Sequence, residues 1–207
     1  MLRASELLAV TPPDSGVIVA LMDAEEIGLV GAGHLASAMA APAGLAVGDG
    51  GPPVHAAEIK AIVNLDASSA RASDVQNAVK AVARRDAPVF QRRAMVSSEE
   101  PVLSAAFIAR FAAHGVLGLP IPASVFRPVA AGSIDGRLRS DVHHFAALGI
   151  PFVWPVAGYP EYHTDGDTLA AVYPGDLEAI AAAAADLAAD IALLPIGRVP
   201  APFVPPA

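Results

Sequence analysis

The sequence predicts a single three-layer α/β/α domain with a mostly parallel central sheet. Three observations carry that reading. Short continuous apolar runs alternate with stretches of helical spacing. The runs Val17–Met22 and Ala61–Leu65 each end at acidic residues, as strands buried on both faces do when they leave a sheet. The length of 207 residues, with 54% hydrophobic and 16% charged residues, suits one compact core.

The elements follow in chain order. Met1 to Val10 places Leu2, Leu7 and Leu8 at helical spacing and stops at Thr11-Pro12-Pro13. A turn at Asp14-Ser15-Gly16 leads into Val17–Met22, and Ile27 to Ala40 reads as a helix despite three glycines. Ala41 to Pro53 is a Pro/Gly-rich loop, and the second strand, Ala61–Leu65, ends on Asp66. Ser73 to Arg85 and Glu99 to His114 have helical spacing. Ser124 to Val129 and Ile150 to Trp154 read as strands flanking a short helix, Ser140 to Leu148, with Phe145 and Leu148 inward. Pro174-Gly175 reads as a break before an Ala-rich helix from Asp176 to Leu194. Residues 1–194 are thus expected to form the domain, and 195–207 an irregular Pro-rich tail.

Composition narrows the function. A formal charge of -8 and a pI near 5.1 disfavour a polyanion-binding face. Arg84-Arg85 and Arg92-Arg93, the only dense basic pairs, read as solvated surface. No apolar stretch reaches the roughly 18 residues of a membrane span, because Asp186 and Asp190 interrupt the last helix. Glu6 stands where a signal peptide would be apolar, so no secretion signal is read in this chain. With no cysteine, any metal must be held by carboxylates and imidazoles.

Chemistry is expected at the strand exits: Glu25-Glu26 after one strand, Asp66 after the next and His163 in a loop after the last. Adjacent carboxylates beyond a strand point to different sides, so one can ligate a cation while its neighbour takes a proton. Taken alone, two neighbouring acids are a solvated helix start more often than a catalytic pair.

The wording around these residues is more specific. Asp23-Ala24-Glu25-Glu26-Ile27-Gly28-Leu29-Val30-Gly31 resembles the Asp-x-Glu-Glu-x-Gly-Leu-x-Gly signature of the co-catalytic zinc aminopeptidases of the bacterial leucyl aminopeptidase type. Asn64-Leu65-Asp66 resembles their Asn-Leu-Asp strand end, and His163-Thr164-Asp165-Gly166-Asp167-Thr168 their His-Thr-x-x-Asp-Thr element. Ser140-Asp141, Phe145 and Gly149-Ile150-Pro151 resemble a further segment, in the same order.

The resemblance implies a zinc-exopeptidase-like (phosphorylase/hydrolase-like) fold and zinc as cofactor, two ions in complete members. It implies Glu25 as general base and Glu26, Asp66 and His163 as zinc ligands. The implied substrate is a peptide with a free N-terminus; complete relatives are often secreted. Asp141 and Asp167 are candidates for orienting a ligand or the substrate amine, although Asp141 is also explained as a helix N-terminal acid. Val142 stands where the family usually has histidine, with His143 and His144 just after it. His34 and His55 are read as non-ligands.

The family's His-x-Asp and Asp-Asn-x-x-Gly motifs are not found in these 207 residues. The expectation is therefore a catalytic core lacking an N-terminal segment, with low activity by itself and surface left open to self-association. Two other readings share the fold: a non-catalytic relative acting in binding or assembly, and a glutaminyl-cyclase-like acyltransferase with one zinc.

Overall fold

The protein is described by a computed structural model that covers residues 2–10, 15–48, 50–69, 93–126, 140–157, 164–166, 168–172 and 174–199. Helical periodicity builds the best-packed layer. In α3 (Pro101–Ala113), Leu103, Phe107 and Phe111 recur every fourth residue and are fully buried. In α5 (Pro174–Leu193), Ile180, Ala183, Ala184, Leu187 and Ile191 form the matching apolar stripe. Proline occupies the first position of α3, and the Glu100 side chain accepts the Leu103 amide at 2.5 Å, satisfying a backbone donor that the first turn cannot pair. The first helix, α1 (Leu2–Val10), packs on α5, with Ala4 in the same core.

Four strands form the sheet: β1 (Ile62–Val63), β2 (Arg93–Ser97), β3 (Leu119–Pro122) and β4 (Phe152–Ala157), in the order β1-β4-β2-β3. β1 runs parallel to β4 and β2 parallel to β3, while β2 and β4 are antiparallel, with Met95 opposite Pro155. Alternation assigns the faces. Met95 and Val153 pack with α1, α3 and α5. Val96, Phe152 and Trp154 point to the other face, where α4 (Val142–Ala147) contributes Val142 and Ala146. There α2 (Val30–Ala40) joins through Ala32, Ala36 and Met39 against Phe145 and Ile150. Helices thus cover both faces, as the sequence predicts.

Several local expectations are corrected. Val17–Met22 has no regular secondary structure and is no strand of the sheet, and Val17, Val19 and Leu21 are exposed. The helix expected from Ile27 begins at Val30, because Gly28 and Leu29 hold positive φ. Ser124–Val129 is no strand as far as it is described. Ala123–Phe126 is a 3-10 helix, and the strand lies just before it at Leu119–Pro122. Pro120 and Pro122 conceal β3 in the sequence, since proline is compatible only with a sheet edge or a strand start. The last strand continues past Trp154 to Ala157, and α5 includes Pro174 instead of breaking there. Arg93 is a buried β2 residue, not solvated surface. The helix expected over Ser73–Arg85 lies outside the described residues, and 195–199 show no regular structure. Among the described residues no helix is long and apolar enough to cross a membrane.

Candidate active site

Because β1 and β4 are parallel, their C-terminal ends share one edge of the sheet. β1 delivers Asp66 to that edge; His163 lies outside the described residues. The loop after β1 is fixed by its own carbonyls. The Asp66 carbonyl accepts Trp154 Nε1–H at 2.8 Å and the Ser68 hydroxyl at 3.2 Å. The Ala67 carbonyl accepts the Ala157 amide at 2.7 Å, and the Ser68 carbonyl accepts Arg93 Nε and Nη2, each at 3.2 Å. Three successive carbonyls are thereby held, with Ala67 between them at φ 44°. A non-glycine residue in the left-handed region requires such over-determination.

The Asp66 side chain is positioned from a distant stretch. Asn64 Nδ2 donates to Ser140 Oγ at 2.7 Å, and Ser140 Oγ donates to Asp66 Oδ2 at 2.8 Å. Ser140 is fully buried. The Asn-Leu-Asp and Ser-Asp motifs, more than seventy residues apart, therefore meet in one hydrogen-bonded chain.

Glu25 and Glu26 sit in a tight turn. Ala24 and Leu29 have φ of 56° and 58°, and the Glu25 carbonyl accepts the amides of Gly28 at 3.1 Å and Leu29 at 2.9 Å. The Gly31 amide donates to the Asp23 carbonyl at 3.0 Å. A Cβ on Gly31 would meet that same carbonyl oxygen at 2.6 Å, and Gly28 has φ 120°. Both motif glycines thus have a steric reason, close approach at one and backbone conformation at the other.

Glu25, Glu26, Asp66 and Asp141 line one cavity of about 900 Å³ whose remaining walls are largely apolar. Burial pushes the Asp66 carboxyl above its ordinary range; the Ser140 hydroxyl and Ala67 amide oppose this, and the charge of Glu26 adds to it. Burial likewise raises Asp141, and the charge of Asp66 raises it further. Asp141 precedes α4 but makes no capping bond, and its buried Oδ1 has no hydrogen-bond partner among the described residues. Asp141 thus stands at the helix start, as the plainer reading expects, with one oxygen unpaired among the described residues. Among the described residues the cavity wall carries the carboxylates of Glu25, Glu26, Glu58, Asp66 and Asp141 against the cations of Lys60 and Arg198, an excess of negative charge that suits a cation or an ammonium group.

Of the residues singled out in the sequence, Glu25, Glu26, Asp66 and Asp141 line the same cavity, while His163 and Asp167 lie outside the described residues. His55 is taken up by a 3-10 turn, its amide donating to Glu58 at 2.7 Å. The sequence does not announce the supporting roles of Trp154 and Arg93, because nothing local to either residue signals a partner so far away in the chain. The donor set fits zinc in kind, with hard carboxylate oxygens and one buried unsatisfied oxygen. Among the described residues, however, no three His, Asp or Glu side chains form a complete ligand group.

A sequence model of Peptidase family M28 matches residues 1–188, and the chain belongs to that family. Among solved structures it is similar to the "Aminopeptidase from Aneurinibacillus sp. strain AM-1", with a TM-score of 0.53 and 17% identity. That match covers 90% of this chain and 34% of the other, so the chain spans about a third of its structural relative's length. At this identity the likeness speaks for the fold alone. No curated protein matches the chain significantly.

Proposed function

We propose that the chain is catalytic core of a zinc metallo-aminopeptidase that hydrolyses the first peptide bond of a substrate with a free N-terminus. The observation that carries this reading is the meeting of Glu25, Glu26, Asp66 and Asp141, from three separate stretches, on one apolar-walled cavity. Glu26 and Asp66 would hold zinc with His163, as the family resemblance implies. When bound, zinc supplies Lewis acidity toward the scissile carbonyl.

The chain's own residues do the rest. Glu25 accepts a proton from the attacking water at its carboxylate and delivers it to the leaving amine nitrogen. Ser140 and Asn64 hold the Asp66 carboxylate in one orientation, which limits the reorganisation that a ligand would otherwise undergo. The free oxygen of Asp141 accepts a hydrogen bond from the substrate's α-ammonium group, so that only a terminal residue is placed for cleavage. Apolar residues of the cavity wall, such as Met22, Met39 and Phe145, receive an uncharged first side chain.

A catalytic zinc ordinarily has three protein ligands. Glu26 and His163 would serve one position and Asp66 the other, so the 207-residue chain is expected to bind zinc weakly. Metal analysis paired with hydrolysis of an aminoacyl anilide tests the proposal. The chain should be compared with an extended form, joined at its N-terminus to a segment that carries the family's His-x-Asp and Asp-Asn-x-x-Gly motifs. Zinc-dependent hydrolysis by the extended form supports the aminopeptidase. Cyclisation of an N-terminal glutaminyl peptide without anilide hydrolysis would replace it by the acyltransferase, and zinc-free inert protein by a binding role.

A further inference from the structure

The mixed sheet brings one strand to the acidic edge in reverse. β1 and β4 end there, whereas β2, antiparallel to β4, begins there, with Arg93 opposite Ala157. The order β1-β4-β2 sets Arg93 two strands away from the one that carries Asp66. That separation is about 10 Å, so a contact between the two needs a long side chain and a loop that comes to meet it.

Both are present. The loop after β1 folds across the end of β4, where Trp154 Nε1–H and the Ala157 amide hold the carbonyls of Asp66 and Ala67. Arg93 takes the next carbonyl, Nε and Nη2 both donating to Ser68. Its Nη1 donates to the Leu117 carbonyl at 3.4 Å, and Nη2 also donates to Asp176 of α5. Arg93 and Ser68 are buried, where water does not make good a lost bond. A planar guanidinium can address two carbonyls and a carboxylate at once, which a lysine ammonium on its single tip cannot do in these directions. A tie between helix and sheet would need only the pair with Asp176. The two bonds to Ser68 serve the loop, whose Ala67 stands at φ 44° and keeps that conformation only while its neighbours are held.

We propose that Arg93 is a positioning residue for the Asp66 carboxylate, with Asp176 as its anchor. By fixing the Ser68 carbonyl it closes the left-handed turn that sets the direction in which Asp66 leaves β1. Ser140 then orients the carboxylate itself. Asp176 keeps the guanidinium charge from being buried alone, so the start of α5 is coupled to the acidic edge through one side chain. Asp66 as a zinc ligand rests on the function proposed above, whereas the hold on its loop does not.

Trp154 is the only tryptophan of the chain, so its indole proton gives a single NMR signal. Exchange of that proton with solvent reports the bond to the Asp66 carbonyl without zinc or substrate. In the unmodified 207-residue chain it is expected to be at least about tenfold slower than for an exposed tryptophan. Arg93→Lys should speed it about tenfold, while the amides of Phe107 and Phe111 in α3, which report opening of the core, change little. Asp190→Asn, which breaks the exposed pair with Arg110, should leave the indole unchanged. In the extended form the Kd for zinc should rise about tenfold in Arg93→Lys and stay the same in Asp190→Asn. If Arg93→Lys does not fold, Asp176→Asn, which keeps an acceptor beside Arg93 but removes the counter-charge, is read in its place with the same expected direction. An unprotected indole in the unmodified chain overturns the proposal. So does indole exchange that rises only in step with the Phe107 and Phe111 amides, because the pair would then hold the fold and not the loop. A loosened indole with unaltered zinc affinity overturns it as well. Zinc binding by none of the extended forms would instead sink the aminopeptidase reading, and the indole comparison alone would then decide the positioning.

Discussion

Asp176 and Asp66 are both withdrawn from water, and the fold balances them in opposite ways. Asp176, in the first turn of α5, forms an ion pair with Arg93 of β2, which is almost fully buried. Burial lowers the Arg93 pKa, and the Asp176 charge and hydrogen bond oppose that effect. Asp66 is met by the Ser140 hydroxyl and the Ala67 amide, and by the like charge of Glu26. Asp141 adds a further carboxylate whose ionisation Asp66 disfavours. The first arrangement joins helix to sheet; the second retains an electrostatic cost beside a cavity. Carboxylates whose pKa is raised by burial and by one another are frequent at functional sites.

The contrast can be broken on either side. The largest expected effect falls on the proposed chemistry: in the zinc-loaded extended form, Glu25→Gln should lower kcat for an aminoacyl anilide about 10²- to 10⁴-fold with zinc content nearly unchanged. Undiminished turnover would show that Glu25 is not the base. On the structural side, Asp176→Ala leaves the Arg93 charge buried and should cost about 3–5 kcal/mol in denaturant unfolding. A cost near zero would mean that the pair is not what makes this burial tolerable.

Ser140→Ala cuts the chain from Asn64 to Asp66 and should weaken zinc binding of the extended form about 10- to 100-fold, as seen when a ligand's supporting partner is lost. Unaltered affinity in calorimetry would separate Asp66 orientation from metal binding.

The smallest effect is electrostatic. A carboxyl with a raised folded pKa binds its proton more tightly in the native state than in the unfolded chain. Its contribution is therefore favourable at low pH and is lost as pH rises from the ordinary 3.8 through the raised value. Asp141→Asn should accordingly raise the melting temperature of the metal-free chain by about 2 °C near neutral pH. The gain should vanish below the ordinary carboxylate range, and a gain independent of pH would contradict the charge argument.

How much of this was legible in the sequence differs between residues that act locally and residues that act at a distance. Glu25-Glu26 and the glycines after them form a self-contained turn, so the motif carried its own geometry. The helices α3 and α5 were legible because their apolar stripes repeat every three to four residues. β3 was not, because two prolines mask an edge strand, and β2 was not, because its first residue is an arginine whose partner lies eighty-three residues away. Val17–Met22 shows a different limit: its pattern anticipates neighbours on both sides, and among the described residues none pairs with it in the ladder.

The central claim, that the acidic edge of the sheet is a metal-dependent peptidase site, is tested most directly by native mass spectrometry of zinc content. The comparison uses the extended form and its variants Glu26→Gln, Asp66→Asn and Asp186→Asn, the last a surface control on α5. The account predicts zinc in the unmodified protein and in Asp186→Asn, with clear loss in Glu26→Gln and Asp66→Asn. Full zinc retention in both of those variants would contradict it.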